Sequence, residues 1–148
     1  MTSIAINTNQ IGRAVAGTRR TATASRKTSI ALWVVQSLLG ALFLFAGSMK
    51  FIMTVAEMTK QLPFPGWFLH FIGAAEILGG IGLILPGVVR IKTGLTPLAA
   101  AGLVIIMIGA TVTTLFTPAP AGAIGPFVIG SLAAFVAYGR TRLAPLAD

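Results

Sequence analysis

The residue whose chemical type stands out most in this sequence is Glu76. It lies near the middle of an apolar run from Trp67 to Leu85, in which no other residue carries a formal charge at neutral pH. A run of this length can cross a bilayer as one helix. A carboxylate at that depth costs roughly 2.5–3.5 kcal/mol on insertion scales, so it faces a bundle interior, binds a partner or becomes neutral. The sequence therefore predicts an integral membrane protein with one buried acid.

Lys50 is the natural counter-charge for Glu76. It lies toward the end of the preceding apolar run, in the segment FAGSMKF. If the two runs form neighbouring antiparallel helices, Lys50 and Glu76 reach a similar depth. Such a pair can fix the register of two helices, or it can take part in proton transfer or ligand binding. Both interpretations remain open at this point.

Three further polar residues are candidates to line a small cavity with this pair. His70 precedes Glu76 by six residues and lies on another part of the helix surface. It suits either a position at the membrane interface, or a role in relaying protons or contacting a quinone. Ser48 and Thr113 complete the set, although hydroxyl side chains in helices often bond to their own backbone. We expect the cavity in the half of the bundle that holds Glu76, because the other half offers mainly Gln36.

The sequence carries no recognisable catalytic motif. One histidine, three acidic residues and no cysteine make a poor ligand set, so we predict no bound metal. It contains no P-loop, dinucleotide-binding fingerprint, nucleophile elbow or HExxH motif, and GGIGLIL is typical of a membrane helix interior rather than of a phosphate-binding loop. Catalytic residues cannot be assigned, and a non-catalytic membrane subunit is favoured over an enzyme acting alone.

The composition indicates which elements position these residues. The chain has 148 residues, of which 55% are hydrophobic and 9% are charged, whereas soluble domains carry about 25% charged residues. Apolar segments predict four spans at about 29–53, 67–85, 95–115 and 121–138, joined by short connections that make neighbours antiparallel. The predicted fold class is an all-α, integral membrane four-helix bundle over residues 29–140. Pro86 and Gly87 are expected to end the second span, and Thr96 is a possible N-cap of the third.

The two ends of the chain differ in composition from the bundle. Residues 1–28 are basic, rich in threonine and free of acidic residues, which favours a disordered cytoplasmic tail. A mitochondrial transit peptide has a similar composition. Residues 141–148 are expected to form a short C-terminal tail.

The net charge of +8 reflects membrane topology rather than nucleic-acid binding. Nine of the eleven lysines and arginines fall on one side of the predicted spans, and only Lys50 and Lys60 fall on the other. Cytoplasmic segments of membrane proteins carry this excess, so both termini are expected in the cytoplasm. The nine are Arg13, Arg19, Arg20, Arg26, Lys27, Arg90, Lys92, Arg140 and Arg142.

Three segments resemble the DoxX-like family. They are LLGALFLFAGSMKF, AEILGGIGLILPGVVRI and LTPLAAAGLVIIMIGATVT, and the resemblance covers about residues 30–140. It implies a four-helix membrane bundle in which Lys50, Glu76 and Arg90 occupy the family's charged positions. Members often carry a histidine late in the third span, where this chain reads TVTTLF. Histidine-dependent chemistry at that position is therefore not expected here.

The resemblance also carries an expectation about function. The family takes its name from a subunit associated with thiosulfate:quinone oxidoreductase, and other relatives are linked to membrane redox or detoxification assemblies. This implies an accessory subunit, or one that binds a quinone or another lipophilic molecule, in a redox or detoxification complex of the bacterial inner membrane, with redox subunits or a second copy as partners. The alternatives are a small proton-coupled transporter that uses Glu76, and a structural membrane subunit without chemistry.

Overall fold

The described part of the chain consists of helices joined by short turns. The computed structural model describes the backbone of residues 8–61, 64–144 and 146, and the side chains of residues 26–60, 64–144 and 146. Within these residues the elements are α1 (Thr8–Ile52), α2 (Val55–Gln61), α3 (Gly66–Val89), α4 (Leu95–Leu115) and α5 (Ile124–Tyr138). A 3-10 turn, Pro120–Ala123, precedes α5, and a π-helical turn, Gly139–Leu143, follows it.

Four of these segments are long and apolar enough to cross a membrane. They are Arg26–Ile52, Gly66–Val89, Leu95–Leu115 and Pro120–Leu143, so the predicted all-α membrane bundle is confirmed. Many large apolar side chains on these spans are exposed, which a soluble protein avoids but a lipid-facing surface requires. Among the most exposed are Leu38, Phe45, Leu78, Ile105 and Phe127.

Two local expectations about the helix ends were wrong. Pro86 does not end α3, because the helix continues through this buried proline to Val89. A proline is tolerated within a membrane helix, where neighbouring groups satisfy the freed backbone atoms, and the Pro86 carbonyl accepts the N–H groups of Arg90 and Ile91 to close the last turn. Thr96 does not cap α4, because Gly94 is the N-cap and Thr96 lies buried in the first turn.

Glycines bring α1 and α3 into backbone contact. A Cβ atom added at Gly47 would lie 2.6 Å from the carbonyl oxygen of Gly73, and one added at Gly80 would lie 2.8 Å from the carbonyl oxygen of Gly40. Small residues allow this close approach between helices in lipid. The pairing of residue 40 with 80, and of 47 with 73, makes the two helices antiparallel.

The remaining helices continue the same up-and-down order. Gly79 of α3 faces Leu103 of α4, and Gly130 of α5 faces Met107 of α4. The bundle closes where Gly139 packs on Leu32 of α1. The buried core between the helices consists of Leu39, Phe43, Leu83, Ala100, Leu103, Met107, Ala133 and Val136.

This order collects at one end six of the eight basic side chains that the structure describes, all except Lys50 and Lys60. We call this end the basic end, defined by Arg26, Lys27, Arg90, Lys92, Arg140 and Arg142, and we call the other end, which holds α2, the opposite end.

The predicted tails are only partly described. Residues 1–7, Pro145, Ala147 and Asp148 lie outside the described residues. From Thr8 the backbone is helical and continuous with the first span, so residue 28 does not coincide with a break in secondary structure.

We predict that the basic end faces the cytoplasm, because positively charged segments are retained there during insertion. With four spans, both termini then lie on the cytoplasmic side. A reporter fused after Asp148 should give the cytoplasmic signal, and a reporter placed in α2 should give the opposite one. An external signal from the C-terminal fusion would contradict this orientation.

Candidate functional site

An ion pair joins α1 to α3 within the membrane-spanning region. Lys50 Nζ lies 2.7 Å from Glu76 Oε2 and donates a hydrogen bond to it. The Glu76 side chain is 5% exposed and the Lys50 side chain 25%. The partnership predicted from the sequence is therefore confirmed. Charged partners at this distance form stronger hydrogen bonds than neutral ones.

Gly73 explains why the lysine can approach α3. A Cβ atom added at Gly73 would lie 3.0 Å from Lys50 Cβ, so a larger residue one turn before Glu76 would push the stem of Lys50 away. Gly73 and Glu76 are three residues apart and are both buried. Residues at this spacing share one face of a helix. The glycine thus positions the lysine beside its acid.

The ion pair lines one wall of a cavity of about 390 Å³. This volume is within the range of sites that hold small organic molecules, roughly 300–1,000 Å³. The lining is mostly apolar and comes from α1, the start of α3 and the second half of α4. It consists of Lys50, Phe64, Phe68, Leu69, Phe71, Ile72, Glu76, Ile105, Ile106, Gly109, Ala110, Thr113 and Thr114.

Aromatic rings form the wall of the cavity nearest the opposite end. The ring centroids of Phe64 and Phe68 are 5.2 Å apart, and those of Phe68 and Phe71 are 6.5 Å apart with nearly parallel planes. Trp67 meets the edge of Phe68, with their centroids 5.7 Å apart. Such faces favour contact with another flat ring.

The structure brings together three of the five candidate residues. Glu76, Lys50 and Thr113 line the cavity. The Thr113 hydroxyl donates 2.8 Å to the Gly109 carbonyl, which leaves its oxygen free to accept. Ser48 and His70 are not among the lining residues. The Ser48 hydroxyl donates 2.7 Å to the Leu44 carbonyl, and the His70 ring stacks on Phe51 with their centroids 5.3 Å apart.

Among the described residues, no three His, Cys, Asp or Glu side chains come together as metal ligands. The positive charge of Lys50 and the negative charge of Glu76 are the charged groups of the cavity. The cavity therefore offers a ligand one ion pair that can form hydrogen bonds, surrounded by aromatic and aliphatic side chains.

A second buried polar group lies at the basic end. The Gln36 amide nitrogen donates to the Leu83 carbonyl, and its oxygen accepts from Arg140 Nε at 2.8 Å. Arg140 is 3% exposed, and its guanidinium lies 5.2 Å from the Trp33 ring centroid. The expectation that this half offers mainly Gln36 was wrong. By its position after an apolar span, Arg140 indicates only membrane topology, and Gln36 lies 104 residues away, so no local sequence signal links the two residues.

The residues that line the cavity lie within a segment that matches a known protein family. The sequence profile of the DoxX-like family matches residues 34–136. This range includes the Lys50–Glu76 pair and the described lining of the cavity, and it ends before Arg140. No curated protein and no solved structure gave a significant match to the chain.

Proposed function

This chain belongs to the DoxX-like family, and on that premise we propose that it is an accessory membrane subunit that binds a lipophilic, ring-bearing molecule of the quinone class beside Lys50 and Glu76. The single observation that carries the proposal is the cavity of about 390 Å³, in which one ion pair is set among apolar and aromatic residues. A quinone carries electrons between membrane enzymes, and the role of this chain is to hold it for a redox partner subunit.

The lining residues fit the parts of such a ligand. The ammonium group of Lys50 has three N–H donors, of which one is directed at Glu76, so a ring carbonyl can accept from another. The faces of Phe68 and Phe71 suit the flat ring. Thr113 and Thr114 already donate to their own helix and offer oxygens that can accept from a hydroxyl on the ligand.

The two alternative functions make different demands on the same residues. A structural subunit needs only the ion pair and has no use for a cavity beside it. A proton-coupled transporter needs a polar route past Glu76 to both membrane faces, whereas the described lining of this cavity is largely apolar. The quinone-class ligand uses both the pair and the space beside it, which is why we favour it.

We predict that Gly109→Leu weakens ligand binding at least tenfold, which corresponds to about 1.4 kcal/mol. A Cβ atom at Gly109 meets no atom within 4 Å, and Gly109 lines the cavity, so a leucine there starts without a clash and its larger side chain takes up space in the cavity. The measurement is quenching of Trp67 fluorescence by a short-chain ubiquinone in nanodiscs, with Trp33→Phe as the background. Trp67 is the suitable reporter because it touches Phe68 of the cavity wall.

Gly125→Leu is the matched control. Gly125 also has open space around its Cβ position, but it is not among the lining residues of the cavity. The control should bind as the parent does. Quenching that never saturates, or that is equal in all three proteins, would show only partition of the quinone into lipid and would leave a structural subunit as the better description.

A further inference from the structure

Buried polar side chains gather at the basic end of the bundle. Of the buried polar or charged residues, all except Glu76 belong to α1, the α3–α4 turn, the first turn of α4 or the turn after α5. They are Gln36, Thr93, Thr96 and Arg140. Polar atoms enclosed by apolar residues are costly unless they find partners. Two of these residues, Thr96 and Arg140, each retain a buried polar atom without a hydrogen bond, namely Oγ1 and Nη2.

Arg140 is the unusual member of this group because no described residue balances its charge. Nε donates to Gln36 at 2.8 Å, Nη1 donates to the Ala144 carbonyl at 3.3 Å, and Nη2 has no hydrogen-bond partner among the described residues. These acceptors are neutral, and in the described part of the chain the one ion pair is Lys50–Glu76. A guanidinium remains charged at all physiological pH values. A buried charge without a counter-charge costs several kcal/mol, so the site is suited to an anion.

Further positive charge lies at the same end of the bundle as this buried group. The exposed basic residues of the same end are Arg26, Lys27, Arg90, Lys92 and Arg142. Arg90 and Lys92 both adopt the left-handed backbone conformation, with φ of 55° and 48°, which is uncommon for residues with long side chains. They lie in the α3–α4 turn beside Thr93, whose hydroxyl donates 3.1 Å to the Leu146 carbonyl. The α3–α4 turn therefore meets the segment after α5 at Leu146, two residues beyond the Ala144 carbonyl that accepts from Arg140.

We propose that the phosphate group of an anionic membrane lipid binds at the basic end, with Arg140 as its buried donor and Arg90 and Lys92 as its outer donors. Planar guanidinium groups bind phosphate through paired N–H donors. A lipid fits better than a soluble anion because large apolar side chains are exposed directly around the site, where acyl chains can lie against them. These include Val88, Ile91, Leu95 and Leu143.

The backbone of the last described residues covers Arg140 and must move to admit the phosphate. The described contacts of this cover include the bonds from Arg140 to Ala144 and from Thr93 to Leu146, which are 3.3 and 3.1 Å long and have neutral acceptors. A phosphate in place of the Ala144 carbonyl would give the Arg140 guanidinium an anionic acceptor and a counter-charge, which a neutral carbonyl does not supply. The exchange is therefore favourable for the guanidinium.

The experiment compares the full chain in nanodiscs of phosphatidylcholine with nanodiscs that also contain phosphatidylglycerol. We expect phosphatidylglycerol to raise the thermal unfolding midpoint by about 3 °C or more. Inorganic phosphate added at millimolar concentration to the phosphatidylcholine discs should not reproduce the shift. Equal midpoints in the two lipids would overturn the proposal, and an equal shift with inorganic phosphate would replace the lipid by a free anion.

Variants separate a built site from diffuse surface charge. Arg140→Gln should abolish the shift, whereas Arg142→Gln, which removes the same charge from an exposed position in the same turn, should retain most of it. The double variant Arg90→Gln/Lys92→Gln changes only exposed side chains and should reduce the shift by at least half, which tests the site even if Arg140→Gln does not fold. Loss of the shift in Arg142→Gln as large as in the double variant would contradict a defined site.

Discussion

Replacing Glu76 by glutamine should lower the free energy of unfolding by about 3 kcal/mol. Removing one partner of a buried ion pair costs about 3–5 kcal/mol, because the other charge remains without compensation. We expect the lower end of this range, because a quarter of the Lys50 side chain is exposed and part of its charge can reach solvent or headgroups. The loss of unfolding free energy is measured by unfolding the purified protein in mixed micelles with a rising fraction of a denaturing detergent.

A double-mutant cycle tests whether the loss arises from the pair itself. Lys50→Met should be destabilising as well, and the double variant Lys50→Met/Glu76→Gln should lose clearly less than the sum of the two single losses. The 2.7 Å separation of Lys50 Nζ and Glu76 Oε2 requires this coupling. Strictly additive losses would mean that the two charges are stabilised by other partners.

Gly47→Ala should destabilise the bundle by about 1–3 kcal/mol, the range for forcing extra atoms into a packed interface. The added Cβ atom would lie 2.6 Å from the Gly73 carbonyl oxygen and 3.1 Å from the Ile77 backbone nitrogen. Backbone atoms cannot rotate out of the way, so α1 and α3 must separate. The same unfolding measurement in mixed micelles gives the size of the effect.

Gly102→Ala is the control for this substitution. It makes the same chemical change in a helix, but its Cβ position meets no atom within 4 Å. Alanine favours a helix over glycine by up to about 1 kcal/mol, so this variant should be as stable as the parent or more so. If both alanine variants behave alike, the glycines of α1 serve helix flexibility rather than contact between helices.

The sequence was sufficient for the parts of the fold that depend on length and charge. The bounds of the spans follow from where apolar residues end, and α4 matches its predicted bounds of 95–115. The Lys50–Glu76 pair was predictable because a charge in a span must be compensated and these two residues reach the same depth in adjacent helices. Both inferences use only the length of each apolar segment and the position of the charged residue within it.

The remaining features depend on how the helices are rotated and packed. His70 stacks on the ring of Phe51, which belongs to α1. One side of the cavity is formed by Gly109 and Thr113, which belong to α4. Arg140 follows an apolar span by two residues, which is typical of an exposed flanking charge. Its burial depends on Gln36 and Trp33 of a distant segment, and no pattern within residues 121–148 indicates that contact.

The pairing of α1 with α3 also constrains how the chain is inserted during its synthesis. Lys50 leaves the ribosome 26 residues before Glu76, so we expect the first span, with its lysine, to reach the translocon before the second span. If α3 enters the membrane beside the ammonium group of Lys50, the Glu76 carboxylate avoids much of the free-energy cost of inserting a charge without a partner. The two spans therefore leave the translocon best as a single helical hairpin, and a lysine substitution would act on membrane integration of α3 before it acts on any folded protein.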